Sequence, residues 1–215
     1  MNEPTRICLI RHGQTAWNLA TRVQGHLDIG LDATGREQAE RLGAALAGEG
    51  LQALYSSDLA RAYDTALAVA RHTGLPVQRD VRLRERAFGQ FEGLTHAEIA
   101  QRFPDQALRW RQRDPDFGAP GGETLLQFQA RCVPAAAELS ARHPGQSIAL
   151  VAHGGVLDAL YRAATGLPPQ APRSWQMRNA SINRLLWNGE GVVLVGWDDG
   201  GHLVGLDGRV STAQD

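Results

Sequence analysis

The chain has 215 residues, of which 43% are hydrophobic; this suits one compact core, so we expect residues 1–215 to form a single domain. Its formal net charge of -1 offers no broad basic surface, which makes nucleic acid and anionic membranes unexpected partners. No apolar run reaches the roughly 18 residues that span a bilayer, and no signal peptide precedes the first strand, so we expect a cytoplasmic protein.

All 22 basic residues are arginine, because the sequence contains no lysine. This excludes lysine Schiff bases, lysine-bound pyridoxal phosphate and the phosphate-binding lysine of a P-loop. Cys8 and Cys132 lie in apolar segments and predict buried, reduced thiols rather than a disulfide. If this protein binds phosphate, arginine and histidine must bind it.

The chain opens with a predicted strand, a turn and a helix. Residues 6–11 form an apolar run that indicates a buried strand, and Gly13 marks the turn after it. The first long helix is predicted over residues 34–48, where Thr34 and Glu37 have the spacing of a capping box.

The strand and helix order then repeats. Residues 51–56 predict a second strand, and a helix over residues 59–72 follows Asp58, which can cap it, and ends at Gly74. A strand-like run over residues 79–83 comes next. This repetition is typical of an α/β protein.

The middle of the chain predicts shorter helices and one long helix. Thr95 and Glu98 form a capping box for a helix that Pro104 ends. Glu123 is predicted to begin the long helix as a favourable N-terminal charge, and Pro134 is expected to kink or divide that helix.

The last third predicts the clearest strand and helix unit. Residues 147–152 are continuously apolar, as in a central strand, and a helix over residues 154–164 ends at Gly166. Residues 181–188 and 192–199 predict an antiparallel hairpin. About the last ten residues are expected to fray.

These elements predict an α/β fold, a three-layer α/β/α sandwich with a mostly parallel central sheet and an antiparallel edge hairpin. Ligands of such sheets bind at the carboxyl ends of the strands. The first strand leads into Arg11 and His12, and the central strand leads into His153 and Gly154. We therefore expect the two histidines to share one crevice.

The residues at these turns suit a phosphate ester. Cationic groups must surround the phosphoryl oxygens, and Arg11, Arg61 and His153 can supply them. Gly13 and Gly154 have no Cβ, so the main chain can approach the ligand closely.

His12 is the candidate nucleophile, because a neutral imidazole can attack phosphorus once its other nitrogen donates to a carbonyl. The leaving alkoxide needs a proton, and Glu85 is the candidate general acid. Two neighbouring arginines leave open an ordinary ion-pair role for Glu85.

Five segments, in chain order, resemble motifs of the histidine phosphatase superfamily, the phosphoglycerate mutase-like proteins. They are LIRHGQTAWN at 9–18, YSSDLARAYDTA at 55–66, LRERAFGQFEG at 83–93, PGGET at 120–124 and LVAHGG at 150–155. The resemblance runs from residue 7 to about residue 188, which makes a chance match improbable.

The resemblance implies a phosphoglycerate mutase-like fold and a role for each motif residue. His12 would be phosphorylated, Arg11, Arg61 and His153 would bind the phosphoryl group, and Glu85 would donate and then accept a proton. The implied reaction is the hydrolysis of a phosphomonoester through a phosphohistidine.

The resemblance also implies substrate-side positions for Asn18, Gln24 and Gly25. It implies a small phosphate ester as the ligand, and neither a metal nor an organic cofactor. The remaining histidines show no zinc-ligand spacing, which agrees with that expectation. The helix predicted over residues 107–114 is a candidate lid, with Trp110 and Arg111 as candidate substrate selectors.

Two alternatives share much of this pattern. A cofactor-dependent phosphoglycerate mutase would use the same core, but the family's mutases are generally longer and usually have Asn where this chain has Gly155. A non-catalytic phosphate-binding module predicts loss of His12 or Glu85, and both are present. The oligomeric state is open, a homodimer included.

Overall fold

The computed structural model of the chain describes residues 3–206. Its strands are β1 (Thr5–Arg11), β2 (Leu51–Ser56), β3 (Val77–Arg79), β4 (Ser147–Ala152), β5 (Ile182–Trp187) and β6 (Val192–Asp199). Its helices are α1 (Ala16–Leu19), α2 (Ala33–Leu46), α3 (Ala60–Thr73), α4 (His96–Arg102), α5 (Pro104–Arg111), α6 (Leu125–Ala141) and α7 (Gly154–Thr165). The tail that we predicted to fray lies outside the described residues.

The strands form one sheet in the order β3-β2-β4-β1-β5-β6. β3, β2, β4 and β1 are parallel to one another. β5 runs antiparallel to β1, and β6 runs antiparallel to β5. The mostly parallel sheet with an antiparallel edge hairpin is therefore confirmed. β1 and β4, whose carboxyl ends lead into the two motif histidines, are adjacent at the centre.

Helices cover both faces of the sheet. Successive side chains of a strand point to opposite faces. Accordingly Ile7 and Leu9 of β1 pack in the core beneath α6 and α7, and Cys8 and Ile10 pack in the core beneath α2 and α3. The three-layer sandwich is thus confirmed. Both Cys8 and Cys132 are buried and free, as predicted.

The segment between β3 and α6 has an aromatic core of its own. Phe91, Ile99, Trp110 and Phe117 are buried together there, beneath α4 and α5. None of the helices within residues 3–206 is long and apolar enough to cross a membrane.

The predicted capping box of α2 is wrong. The helix begins at Ala33, so Thr34 lies inside it, and the cap is Asp32, whose carboxylate accepts the N–H of Gly35 at 2.7 Å. An Asp at this place both satisfies an N–H group and meets the positive end of the helix dipole.

Asp58 does not cap α3 either. Its carboxylate is bound by the guanidinium of Arg84 at 2.6 and 2.7 Å, an ion pair between segments distant in sequence. The N–H of Ala60 at the start of α3 instead donates to Asp28, at 2.7 Å. A charged partner outcompetes a local cap for the same carboxylate.

The other predicted boundaries hold in part. Thr95 and Glu98 form the predicted capping box of α4, but the next helix begins at Pro104 and not at residue 107. The capping box of α6 is formed by Thr124 and Gln127 rather than by Glu123, and α6 continues through Pro134 as one helix. Residues 81–83, which we predicted to be strand-like, form a 3-10 turn.

We expect Gly35→Ala to destabilise the fold. A Cβ at this buried position would lie 2.0 Å from the carbonyl oxygen of Gln14, so either the turn after β1 or α2 must move, at a cost of about 1–3 kcal/mol. Denaturant unfolding measures this change. Gly48→Ala is the control, since a Cβ there meets no atom within 4 Å. Equal stability of both variants would contradict the close contact.

Candidate active site

The site lies where β1 and β4 end side by side. His12 directly follows β1 and His153 directly follows β4, and the centroids of their rings are 5.2 Å apart. The N–H of His12 extends the ladder by donating to the carbonyl of Ala152 at 3.0 Å. The prediction that both histidines share one crevice is confirmed.

The ring of His12 is buried and is oriented by its own turn. Its Nδ1 lies 2.7 Å from the carbonyl oxygen of Gly13, and because a carbonyl can only accept, Nδ1 carries the proton. Burial, together with the charges of Arg61 and Arg11, holds the pKa of His12 well below its usual 6.5. The ring is therefore neutral near pH 7, with its lone pair on Nε2.

His153 is fully buried and is also neutral. Burial lowers its pKa well below 6.5, helped by the charge of Arg61. Its Nε2 lies 2.8 Å from the hydroxyl oxygen of Ser57, whereas Nδ1 has no hydrogen-bond partner within residues 3–206. This buried ring nitrogen is therefore not committed to another protein group among the described residues.

Two guanidiniums lie beside the histidines. Arg61 is buried, donates to the carbonyls of Gly25 at 2.7 Å and Leu27 at 3.0 Å, and has an Nε without a partner among the described residues. Burial lowers its pKa to about 10, so it stays charged near neutral pH. Arg11 is buried as well and donates to the carbonyl of Met177.

The two glycines of the turns have different surroundings. A Cβ on Gly13 would lie 2.5 Å from the carbonyl oxygen of Gly35, and the Gly13 N–H donates to the hydroxyl of Thr65 at 3.0 Å. Close packing on α2 is thus one reason for a glycine at this position, and the approach of its main chain to a ligand stays a prediction. A Cβ on Gly154 would lie 3.7 Å from Nε of Arg11 and 4.0 Å from Oε2 of Glu85, inside the site.

Glu85 reaches the site from the segment after β3. Its Oε2 accepts the N–H of Gly155 at 3.0 Å, and its Oε1 accepts the N–H of Arg86 at 2.8 Å. The carboxyl group therefore lies at the start of α7, next to His153. The structure thus places Glu85 beside His153, one of the residues that we predicted to bind the phosphoryl group.

The predicted substrate-side residues form one chain of contacts. Asn18 and Gln24 are joined through Thr15, which donates its N–H to Oδ1 of Asn18 at 3.0 Å and its hydroxyl to Oε1 of Gln24 at 3.1 Å. Gly25 has a φ of 51° and presents its carbonyl to Arg61. A glycine suits this left-handed conformation.

Three supporting residues were absent from the sequence prediction. Ser57 and Thr65, which hold His153 and Gly13, lie inside one of the quoted motifs, so the motif itself was a signal. Asn179 donates to the carbonyl of His12 at 3.0 Å and to Oδ1 of Asn18 at 3.3 Å. No motif pointed to Asn179.

A second pocket adjoins Glu85 through Gly155. Its lining combines aromatic and charged side chains, among them Phe88, Trp110, Arg86 and Arg113. Trp110, one of our two candidate substrate selectors, lines this pocket. Its ring stacks on that of His96, with centroids 5.0 Å apart. The other candidate selector, Arg111, is exposed on α5 and does not line the pocket.

Within residues 3–206 no group of three or more His, Cys, Asp or Glu side chains could hold a metal ion. The arrangement around His12 instead offers an oriented neutral imidazole, guanidinium groups and a carboxyl group. This set can bind a phosphoryl group, attack it and protonate a leaving oxygen.

Comparisons with known proteins agree with this geometry. The family model of the histidine phosphatase superfamily (branch 1) matches residues 7–200. The glucosyl-3-phosphoglycerate phosphatase of Mycobacterium tuberculosis is 41% identical over 189 residues, covering 84% of each chain. The metal-independent phosphoserine phosphatase of Arabidopsis thaliana is 36% identical over 208 residues, covering 94% of this chain and 84% of that protein.

A solved structure is similar too. The mycobacterial glucosyl-3-phosphoglycerate phosphatase in complex with VO3 superposes with a TM-score of 0.79 at 39% identity, over 90% of this chain and 98% of that chain.

The buried neutral histidines predict how stability depends on pH. An unfolded histidine takes up a proton below about pH 6.5, whereas His12 and His153 resist protonation in the fold, so the unfolded state binds more protons there. Stability should therefore fall as the pH falls from about 7 to about 5, by up to ~1.4 kcal/mol per pH unit for each group.

The matched variant is His12→Asn, whose slope over this pH range should be shallower than that of the wild type. Denaturant unfolding at several pH values measures both slopes. Identical slopes would show that His12 titrates alike in the folded and unfolded chains.

Proposed function

The chain belongs to branch 1 of the histidine phosphatase superfamily, and on that premise we propose that its reaction passes through a phosphoryl group carried by His12. The protein is a phosphomonoesterase that acts on a small phosphorylated metabolite, as the phosphatases similar to it do. The geometry around His12, Arg61, His153 and Glu85 supports this proposal.

The orientation of His12 is the observation that carries the proposal. Because Nδ1 donates to the carbonyl of Gly13, the lone pair resides on Nε2, and the low pKa keeps it available at neutral pH. Nε2 attacks phosphorus in line with the ester oxygen, so that an N–P bond forms while the P–O bond breaks.

Three groups bind the phosphoryl oxygens. Arg61 and Arg11 contribute positive charge, and both are buried, so their interaction with the anion is little screened by water. If Ser57 donates its hydroxyl proton to Nε2 of His153, Nδ1 of that ring carries a proton and donates to the anion. The unpaired Nδ1 of His153 and Nε of Arg61 support this assignment within the described chain.

Glu85 handles the proton of the leaving group. Its two oxygens accept main-chain N–H groups, and such bonds favour the ionised form of a carboxyl group. A phosphate dianion placed beside the carboxyl favours the protonated form. We therefore propose that Glu85 takes up a proton when the substrate binds and passes it to the departing alkoxide.

The second half-reaction regenerates the enzyme. The product alcohol leaves, and water attacks phosphorus in line with the bond to Nε2 of His12 while Glu85, now a carboxylate, accepts the proton of that water. The N–P bond breaks and inorganic phosphate departs. No group other than the residues already named is needed for this step.

The second pocket supports a proposal on the substrate class. The similar phosphatases act on glucosyl-3-phosphoglycerate and on phosphoserine, whose leaving alcohols both carry a carboxylate. In this chain Arg86 and Arg113 line the pocket beside Glu85, together with Trp110, Phe88 and Asp158, and the carboxylate of Asp158 is paired with Arg113 at 2.6 Å. We propose that the leaving alcohol occupies this pocket and that its carboxylate meets Arg86, since Asp158 offsets the charge of Arg113.

The whole chain is proposed to form one domain, since the family model already spans residues 7–200. The cytoplasmic location and a homodimer remain predictions from the sequence.

Gly155 is the residue that favours a phosphatase over the alternative function, a phosphoglycerate mutase. A Cβ at this position would lie 2.2 Å from Oε1 of Glu85, so an Asn here would force the carboxyl group to another place. The glycine thus permits the N–H bond that now holds Oε2. The bond from the Gly155 N–H to Glu85 therefore supports a hydrolase in which the Glu85 carboxyl group lies against the start of α7.

The expected outcome of a turnover experiment is hydrolysis. With 3-phosphoglycerate and catalytic 2,3-bisphosphoglycerate, in excess EDTA, phosphorus NMR should show inorganic phosphate from any accepted ester and little 2-phosphoglycerate. EDTA should not reduce the rate, because Arg11 and Arg61 supply the positive charge and His153 adds a neutral N–H donor. Fast isomerisation without phosphate release would make the protein a mutase instead.

A further inference from the structure

The segment that carries Glu85 is held on both sides by one ion pair, Glu123 with Arg131. The geometry points to this pair as the device that positions the general acid, a role that goes beyond the helix-terminal charge predicted for Glu123. The inference rests on the proposed function of Glu85.

Arg131 on α6 binds three main-chain carbonyls of the Glu85 segment. Its Nη1 donates to the carbonyls of Arg82 at 2.8 Å and Arg84 at 3.0 Å, and its Nη2 donates to the carbonyl of Glu85 itself at 3.1 Å. The same guanidinium meets both carboxylate oxygens of Glu123, at 2.8 and 2.7 Å. The rigid, planar guanidinium of Arg131 thus donates five hydrogen bonds.

Glu123 binds the other side of the segment. Its Oε2 accepts the N–H of Ala87 at 2.9 Å, its own N–H donates to the carbonyl of Ala87 at 2.8 Å, and its carbonyl accepts Nε of Arg86 at 2.9 Å. The main chain is therefore bound before Glu85 by Arg131 and after it by Glu123.

The segment has no other regular support. Residues 84–88 belong to neither a strand nor a helix, so no ladder of hydrogen bonds determines their path. His26 adds a contact from its Nε2 to the carbonyl of Glu85 at 2.8 Å, and the N–H of Phe88 donates to Oε1 of Glu92 at 2.9 Å. The side chains of the ion pair bind the carbonyls of Arg84 and Glu85 and the N–H of Ala87, the main-chain groups on either side of the Glu85 side chain.

The position of that side chain matters for acid catalysis. From its present main-chain path, Glu85 accepts the N–H of Arg86 with Oε1 at 2.8 Å and the N–H of Gly155 with Oε2 at 3.0 Å. A displacement of about 1 Å can cost a catalytic group on the order of a hundredfold in rate.

Both members of the pair stay charged near neutral pH. Burial opposes the charge of Glu123, but the hydrogen bonds from Arg131 and Ala87 outweigh it and lower the pKa of the carboxyl. Burial likewise opposes the charge of Arg131, and the bonds to Glu123 raise its pKa. The pair therefore holds the segment over the whole range of a neutral assay.

The test compares two aryl phosphates of similar shape. The phenolate that leaves phenyl phosphate is basic and needs a proton, whereas p-nitrophenolate departs without one. In Arg131→Gln and in Glu123→Gln, kcat/KM for phenyl phosphate should fall about tenfold or more, while kcat/KM for p-nitrophenyl phosphate should change by about twofold or less. Glu123→Gln keeps the side-chain size, so it remains informative if Arg131→Gln folds poorly.

A double-mutant cycle with Glu85→Gln identifies the route of the effect. Once Glu85 is Gln, adding Arg131→Gln should cause no further loss that is specific to phenyl phosphate. The control is Arg184→Gln on β5, which breaks a more exposed Arg–Glu pair, that of Arg184 with Glu49, outside the Glu85 segment. The control should keep the leaving-group preference of the wild type.

The outcomes separate the two proposals. If Glu85→Gln loses the same factor with both esters, Glu85 is not the acid, and the positioning inference falls with it. If Glu85→Gln is selective for phenyl phosphate but Arg131→Gln and Glu123→Gln reduce both esters equally, Glu85 keeps its role and the positioning inference alone is overturned. Additive losses in the double variant would overturn it as well.

Discussion

The bond from Nδ1 of His12 to the carbonyl of Gly13 is the constraint on which the rest of the site depends. It fixes the tautomer of a buried ring, and the neighbouring charges of Arg61 and Arg11 keep that ring neutral. The cations that we propose to bind the phosphate thus also keep the proposed nucleophile neutral. Under this proposal, phosphate binding and nucleophilic attack use one arrangement of charges, which the fold itself builds.

The turn that makes this bond is held from several directions. Asn179 and Ala180 donate to the carbonyl of His12, and Thr65 accepts the N–H of Gly13. Gly35 of α2 lies against the same turn without space for a Cβ. His12 therefore lies in a closely packed turn at the sheet edge, whereas Glu85 lies on an irregular segment that depends on side-chain contacts.

The sequence predicted every strand of the sheet except β3, their largely parallel order and the meeting of His12 with His153, because these follow from local patterns and from the geometry of parallel sheets. It could not predict Asn179, since that contact joins residues 167 positions apart and Asn179 stands in no motif. It also misjudged Asp58 and Glu123, which are polar residues beside helix starts. Each binds an arginine whose position only the folded chain determines.

Formation of phospho-His12 is the central claim, and trapping it is its most direct test. The enzyme should be mixed with a good substrate, quenched in base within the first turnover and digested, and the phosphorylated peptide should be mapped by mass spectrometry. Phosphate should be found on His12 in the wild type and be absent in His12→Asn, which should not turn over. Phosphate on another side chain, or turnover by His12→Asn at the rate of the wild type, would contradict the account.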